Sequence, residues 1–171
     1  RIDLRFPAVH WEEFQHIAAL QQLDAYELIA IARRESGLYP LARSKVGARG
    51  LMQLMPSTAR SMAVKQNTRY RGDASLYQPS TNILLGATYY RELMRRYELN
   101  RVKSLAAYNA GPSRVSRWSS GELPLDQWVD SLPFGETREY VQAVLAYTVI
   151  YRTRSGVTAS LLSDSERTAR Y

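Results

Sequence analysis

The sequence contains no cysteine and only two histidines among its 171 residues. The lack of cysteine excludes disulfide bonds, thiolate nucleophiles and thiolate metal ligands, and it leaves the redox compartment undecided. Because His10 and His16 lie in one early segment, a Ser-His-Asp triad or a multi-histidine zinc site has few candidates. We expect both histidines to be structural or surface residues, and we predict no metal site and no cofactor.

Long apolar runs are also missing. The longest, residues 28–32 and 143–147, are five residues each, whereas a membrane-spanning helix needs about twenty. The N-terminal residues do not form the apolar centre of a signal peptide. We therefore expect no transmembrane segment, and we expect any export signal to have been removed or to lie upstream. With 45% hydrophobic residues, 9 Gly and 7 Pro, the composition is that of a globular domain and excludes a disordered or collagen-like chain.

Basic residues exceed acidic ones by 23 to 16, which gives a net charge of +7. This balance favours a polyanionic partner such as nucleic acid, an anionic membrane surface or an acidic cell-wall polymer. The arginines and lysines occur in scattered groups and not in one stripe, which favours a solvated surface and argues against nucleic acid as a partner. A basic helical nucleic-acid-binding domain remains the alternative from another class, and it predicts salt-sensitive binding of DNA.

Hydrophobic periodicity is helical along most of the chain, with a polar interruption near the middle. Asp24 followed by Glu27 predicts a capping box, and glycines at 37, 47 and 50 interrupt any helix there. We predict one mainly α domain over residues 1–171, with a small extended or β lobe around residues 39–56 and a surface loop over 65–77. The first predicted helix begins near residue 9 and ends before Asp24, and a long one runs from residue 79 to near residue 100. The other predicted helices span residues 25–36, 56–62, 102–109, 112–118, 125–131, 136–154 and 163–170.

Glu35 falls on the apolar face of the predicted 25–36 helix. Leu28, Ile31 and Ala32 precede it at the spacing that places residues on one face. Burial among these side chains and a position in the last helical turn both disfavour the carboxylate, so we expect the pKa of Glu35 to be raised. A protonated carboxylic acid near neutral pH is what cleavage of a glycosidic bond requires. The alternative is a structural Glu35 that lies at the edge of the core and pairs with an arginine.

Four separated motifs stand out along the chain. They are Arg34-Glu35-Ser36-Gly37, Gly47-Ala-Arg-Gly50-Leu-Met-Gln53-Leu-Met55-Pro56, Ala107-Tyr108-Asn109-Ala110-Gly111-Pro112 and Leu132-Pro133-Phe134-Gly135-Glu136-Thr137-Arg138-Glu139-Tyr140-Val141. In this order they resemble the motifs of the soluble lytic transglycosylases, a family of bacterial cell-wall metabolism that shares the lysozyme-like fold. The similarity extends over most of the chain, and Leu4-Arg5-Phe6-Pro7 resembles the entry into the catalytic domain of the large soluble subfamily. The resemblance implies a lysozyme-like fold related to goose-type lysozyme, in a catalytic domain excised from a longer chain with an upstream helical superhelix.

The resemblance implies that Glu35 is the single catalytic acid and base. It would protonate the oxygen between N-acetylmuramic acid and N-acetylglucosamine, and then take the proton of the muramyl C6 hydroxyl as that oxygen closes onto C1. The product is a 1,6-anhydromuramyl end, and the substrate's own N-acetyl group replaces an aspartate nucleophile. The sequence is consistent with a mechanism that uses a single carboxylate. No Asp or Glu occurs between Ser36 and Gly72, and the first acid after Glu35 is Asp73.

The same resemblance implies a sugar-binding groove in the bacterial periplasm, with peptidoglycan strands and muropeptides as partners. A structural interpretation stands beside several of its residues: Met55 as core filler, Tyr108 and Tyr140 as core aromatics, and Glu136 as an acid at the positive end of a helix. The implied binding residues are Ser36, Ser44, Gln53, Met55, Tyr108, Asn109, Glu136 and Tyr140.

Two further alternatives remain open. A goose-type lysozyme uses water in place of the C6 hydroxyl, and the sequence does not distinguish the two outcomes. A catalytically silent wall-binding module has no use for a buried acid, so Glu35 argues against it.

Overall fold

The computed structural model describes residues 6–119 and 121–171 and is mainly helical. Two compact units divide at Arg91 and Glu92, and the organisation of residues 1–171 as one catalytic domain stays a prediction. Leu4 and Arg5 of the predicted entry motif lie outside the described residues. The helices are α1 (Trp11–Gln21), α2 (Ala25–Ser36), α3 (Pro56–Lys65), α4 (Pro79–Arg96), α5 (Arg101–Ala110), α6 (Pro112–Trp118), α7 (Leu125–Ser131), α8 (Gly135–Arg154) and α9 (Asp164–Thr168), with a 3₁₀ helix at Asp73–Tyr77.

In the first unit, α1 packs against α2. The Asp24 carboxylate caps α2 by accepting from the Tyr26 N–H at 3.0 Å, which confirms the predicted start of that helix. Phe14 of α1 and Ile29 of α2 are fully buried. A neighbouring apolar cluster joins the lobe, α3, the 3₁₀ helix and α4 through Leu54, Ala59, Met62, Ala63, Leu76 and Leu85.

Residues 39–56 form the predicted extended lobe as a series of turns. Two isolated antiparallel bridges close it, Arg43 with Arg49 and Arg49 with Leu54, and no named strand occurs among the described residues of the lobe. Leu51 and Met52 are fully buried although they lie in turns. The lobe is therefore held by its buried side chains and by hydrogen bonds to neighbouring helices.

In the second unit, α5 contacts α6 and α8, and α9 contacts α7. The side chain of Trp128 is fully buried against Tyr171, with ring centroids 5.3 Å apart, and its indole N–H donates to the Trp118 carbonyl at 3.0 Å. The predicted capping box of the last helix is present, because Ser163 and Glu166 exchange hydrogen bonds.

Several of the predicted elements differ from the structure. The predicted 56–62 helix continues to Lys65, and the predicted 163–170 helix spans only Asp164–Thr168. The long helix ends at Arg96, before residue 100, because Glu98 and Leu99 both adopt left-handed backbone. The predicted 65–77 loop contains the 3₁₀ helix, whose Leu76 is fully buried in the apolar cluster. Among the described residues, no helix is long and apolar enough to cross a membrane.

Candidate functional site

The helix that carries Glu35 presents a buried apolar face up to its final turn. Leu28, Ile31 and Ala32 have no exposed surface, whereas Glu35 is partly exposed. Gly37 ends the helix in left-handed backbone, and its N–H donates to the Arg33 carbonyl. Glu35 thus continues the apolar stripe at the point where it reaches the protein surface, and the predicted burial of its side chain is only partial because it lies in the last turn of the helix.

Ser36 joins the end of α2 to the lobe. Its hydroxyl lies 2.8 Å from the Leu51 carbonyl and 3.1 Å from the Ala32 carbonyl, and it is the donor to both. Because a hydroxyl has one hydrogen to donate, the two carbonyls share it, and the Leu51 carbonyl is the nearer one. The geometry therefore gives Ser36 a positioning role between the helix and the lobe, and its predicted contact with substrate stays a prediction.

Gln53 lies in the turn that follows Gly50 and has left-handed backbone, with φ +48°. Its amide nitrogen donates to the carbonyls of Gly50 at 2.9 Å and Ala42 at 3.2 Å. These bonds fix the orientation of the side chain within the lobe. The amide oxygen is the end that is left to accept a hydrogen bond from a ligand, because no bond to it occurs among the described residues.

Ser44 and Met55 mark the two ends of the lobe. The Ser44 hydroxyl accepts from the Ala48 N–H at 3.0 Å and so closes its own turn. Met55 stands at the N-cap of α3 with 39% of its surface exposed, which argues against the core-filling interpretation. The structure thus brings Ser44, Gln53 and Met55 into one small lobe that is joined to the Glu35 helix.

Sequence reasoning missed Asn82, which is fully buried in α4. Its carboxamide accepts from the Met52 N–H at 2.7 Å and donates to the Arg49 and Leu76 carbonyls, both at 2.9 Å. Gly86 is the sequence feature that could have indicated a close contact at this helix, because a glycine inside a helical pattern often marks one. A Cβ at Gly86 would lie 2.5 Å from the Met52 sulfur, so the lobe packs directly on α4.

Asp73, the first acid after Glu35, is held by neighbouring side chains. Tyr70 donates to one carboxylate oxygen at 2.8 Å, and Arg49 pairs with the other at 2.6 Å. These two hydrogen bonds, first from Tyr70 and then from Arg49, lower the pKa of Asp73. Burial and the bond to Asp73 raise the pKa of Tyr70 to about 12. Asp73 is thus a carboxylate that ties the lobe to the segment before α4, and it is poorly suited to act as a nucleophile.

Four of the predicted site residues lie in the second unit. The Asn109 carboxamide, at the end of α5, accepts from the buried Thr137 hydroxyl at 2.8 Å. Glu136 precedes Thr137 in the first turn of α8 and is exposed. The structure therefore brings Asn109 and the start of α8 together, although two helices, α6 and α7, separate them in sequence.

The two tyrosines that the sequence predicts as site residues in the second unit differ in exposure. Tyr108 is partly exposed, whereas Tyr140 is 2% exposed and packs in the core of the unit. The burial of Tyr140 favours its structural interpretation, and its contact with substrate stays a prediction. Within the described parts of the chain, no three His, Asp or Glu side chains cluster closely enough to hold a metal ion.

The model of the transglycosylase SLT domain family matches residues 12–130, and the model of the soluble lytic transglycosylase helical domain matches residues 131–159. The chain is 40% identical to the soluble lytic murein transglycosylase of Salmonella typhimurium over 174 aligned positions, which cover 99% of this chain and 27% of that protein. It therefore spans about a quarter of the length of the curated relatives that it matches.

Solved structures give the same result. The 70 kDa soluble lytic transglycosylase of Escherichia coli superposes with a TM-score of 0.96 and 38% identity, over 99% of this chain and 28% of that one. An inactive glutamate-to-glutamine mutant of lytic transglycosylase Slt from Pseudomonas aeruginosa superposes with a TM-score of 0.93 and 40% identity, over 97% and 27% of the two chains. The fold is the predicted lysozyme-like one, and the chain belongs to the transglycosylase SLT family.

Proposed function

We propose that this chain is a peptidoglycan lytic transglycosylase that cleaves the β-1,4 bond between N-acetylmuramic acid and N-acetylglucosamine and leaves a 1,6-anhydromuramyl end. One observation carries the proposal: in a chain of the transglycosylase SLT family, Glu35 emerges at the surface from an otherwise buried apolar helix face.

Glu35 acts first as an acid. Its proton goes to the glycosidic oxygen as the bond from that oxygen to C1 of the muramyl ring breaks. This step requires a protonated carboxyl group. Glu35 follows the buried Leu28 and Ile31 on the same helix face, and the carbonyl end of α2 is unfavourable for negative charge, so its place in the helix favours the protonated form.

Glu35 then acts as a base. The carboxylate left by the first step accepts the proton of the muramyl C6 hydroxyl, while the C6 oxygen forms a new bond to C1. Glu35 ends in its starting protonation state, and no water is consumed. The N-acetyl group of the substrate stabilises the positive charge at C1 between the two steps, so the protein needs no second carboxylate as a nucleophile.

The bonds that Asp73 makes to neighbouring side chains support this single-carboxylate mechanism. No acid separates Ser36 from Gly72, and Asp73 is already bonded to Tyr70 and Arg49. The Pseudomonas relative whose glutamate-to-glutamine mutant is described as inactive fits a mechanism in which one glutamate is indispensable.

Substrate contacts are proposed for each unit by itself. In the first unit, the Gln53 amide oxygen would accept from an acetamido N–H, while Ser44 and Met55 contact the same strand. In the second unit, Tyr108, Asn109, Glu136 and Tyr140 are the proposed contacts. The substrate is peptidoglycan, and the reaction takes place in the periplasm, as the soluble murein transglycosylases of Gram-negative relatives suggest.

Mass analysis of digested glycan strands tests the proposal. The expected new ends are lighter by one water than the reducing ends that hydrolysis leaves. Reducing ends alone would assign the chain to the goose-type lysozyme alternative. Cleavage of neither kind, together with a salt-sensitive shift of DNA, would favour the nucleic-acid-binding alternative.

A further inference from the structure

We infer that Asn82 is a positioning residue for the cleavage reaction: its buried carboxamide sets the place of the Gln53 turn relative to the end of the Glu35 helix. The inference rests on the proposed function, in which Gln53 binds the substrate and Glu35 moves the proton. Asn82 itself contacts neither reacting atom in this account and acts through the lobe.

Asn82 is fully buried, and both the oxygen and the nitrogen of its carboxamide make hydrogen bonds. The oxygen accepts from the Met52 N–H, and the nitrogen donates to the Arg49 and Leu76 carbonyls. One acceptor and two donor hydrogens are thus matched by three backbone groups from two different segments. Aspartate lacks the donors and alanine lacks both functions, so neither reproduces this arrangement.

Arg49 and Met52 flank the turn that leads into Gln53. The Gln53 N–H donates to the Gly50 carbonyl at 3.2 Å, and the backbone of Gln53 is left-handed. A non-glycine residue keeps such a conformation only where the surrounding structure enforces it. Gly50 allows Asn82 to approach closely enough to do so, because a Cβ at Gly50 would lie 2.3 Å from the Asn82 amide nitrogen.

The same turn is connected to the catalytic helix. Leu51 lies between Arg49 and Met52, the two lobe residues whose backbone Asn82 binds, and its carbonyl accepts from Ser36, the neighbour of Glu35. A shift of the turn therefore changes the position of Gln53 relative to Glu35. Misplacement by about 1 Å is enough to reduce catalysis about 100-fold.

The test compares Asn82→Asp and Asn82→Ala with the matched control Thr88→Val. Thr88 lies on the same helix and is 2% exposed, and its hydroxyl donates only to the Leu84 carbonyl of that helix. Two measurements are made at a temperature well below the unfolding midpoint of each variant. The first is hydrogen exchange, by NMR, of the Gln53 side-chain amide and of the bridged Leu54 N–H. The second is kcat and KM on isolated glycan strands.

We expect both Asn82 variants to exchange these protons at least about tenfold faster and to lose about 10- to 100-fold in kcat/KM, while Thr88→Val changes neither. If Asn82→Ala does not fold, the Asn82→Asp variant alone tests the inference, because aspartate keeps the volume of asparagine and one acceptor oxygen. Exchange rates equal to those of the control would overturn the inference, as would fast exchange with kcat/KM unchanged within about twofold. If the unsubstituted chain releases no anhydro ends, the proposed function fails, and hydrogen exchange alone decides whether Asn82 holds the turn.

Discussion

The Ser36 hydroxyl donates to the Leu51 carbonyl at 2.8 Å, and this hydrogen bond joins the residue beside Glu35 to the lobe that carries Gln53. The two ends of the bond come from different motifs of the family pattern. Their contact explains why a serine follows the glutamate even if it never touches the substrate. Ser36 fixes the end of the helix that carries Glu35 against the lobe.

Replacing Ser36 with alanine should lower the free energy of unfolding by about 1 kcal/mol, because the Leu51 carbonyl loses its donor. It should also lower kcat more than it raises KM, because this hydrogen bond no longer fixes the position of the lobe relative to Glu35. Thermal unfolding and steady-state kinetics check both. Ser61→Ala, at an exposed position of α3, is the control that should change neither. A rise in KM alone would contradict the positioning role and favour a direct contact with substrate.

Gly50→Ala should destabilise the first unit by about 2–5 kcal/mol, because strain and overpacking combine. The added Cβ would lie 2.2 Å from the Leu76 carbonyl oxygen, in a backbone with φ +78°. Gly47→Ala is the matched control, with φ +98° and no atom within 4 Å of the new Cβ, and it should cost only about 1 kcal/mol. Denaturant unfolding measures both. Equal losses for the two variants would show that backbone strain alone, and not the close contact, requires Gly50.

Thr137→Val should reduce kcat/KM several-fold, because the Asn109 carboxamide loses the hydroxyl that orients it. The control is Thr148→Val on the same helix, where a buried hydroxyl donates to the Val144 carbonyl instead. Both variants should lose about 1 kcal/mol of stability. If they also lose the same fraction of kcat/KM, Asn109 has no role that depends on its orientation.

The stability of the second unit should depend on pH through Glu166. Burial raises the pKa of this carboxyl group, but hydrogen bonds from Arg101 and from the Ser163 backbone outweigh burial, and the net shift is downward from 4.5. A lowered pKa in the folded state stabilises the protein above the ordinary glutamate pKa, and this stabilisation disappears as the pH falls below it. Glu166→Gln should therefore cost about 1.5–3 kcal/mol at neutral pH and progressively less in acid.

Melting curves of the chain with Glu166 and of the Glu166→Gln variant, recorded from neutral pH downward, measure this difference. Convergence of the two unfolding midpoints below about pH 4 is the expected result. Parallel curves at all pH values would mean that the charge of Glu166 does not contribute to folding.

Local patterns in the sequence predict most of the helices. Residues 112–118 and 125–131 match the observed α6 and α7, because proline, glycine and periodicity act within a few positions of each other. The Glu35 stripe is equally local, since Leu28, Ile31 and Ala32 belong to the same helix. Family motifs add the proposed substrate-binding residues, which periodicity alone does not indicate.

The parts that the sequence did not predict depend on distant partners. Asn82 binds backbone groups some thirty positions away, and no local pattern reveals which carbonyls will lie beside a buried amide. The 3₁₀ helix at Asp73–Tyr77 was missed because a polar segment with one glycine suggests a loop. Its order comes from the burial of Leu76 and from the Asp73 ion pair with Arg49, both of which are tertiary.

Glu35→Gln should keep the fold and the binding of glycan while abolishing turnover, because glutamine has similar size but cannot transfer the proton. Melting temperature and the affinity for an N-acetylglucosamine oligomer serve as the controls. Substantial remaining cleavage by the folded variant would mean that another group is the acid.

Cleavage in water labelled with heavy oxygen tests the central claim most directly, because closure of the muramyl C6 oxygen onto C1 leaves no role for water. Glycan strands digested in this solvent should give anhydromuramyl ends that carry no label. Labelled oxygen at the muramyl C1 in most of the new ends would show that water attacks, and it would contradict the account.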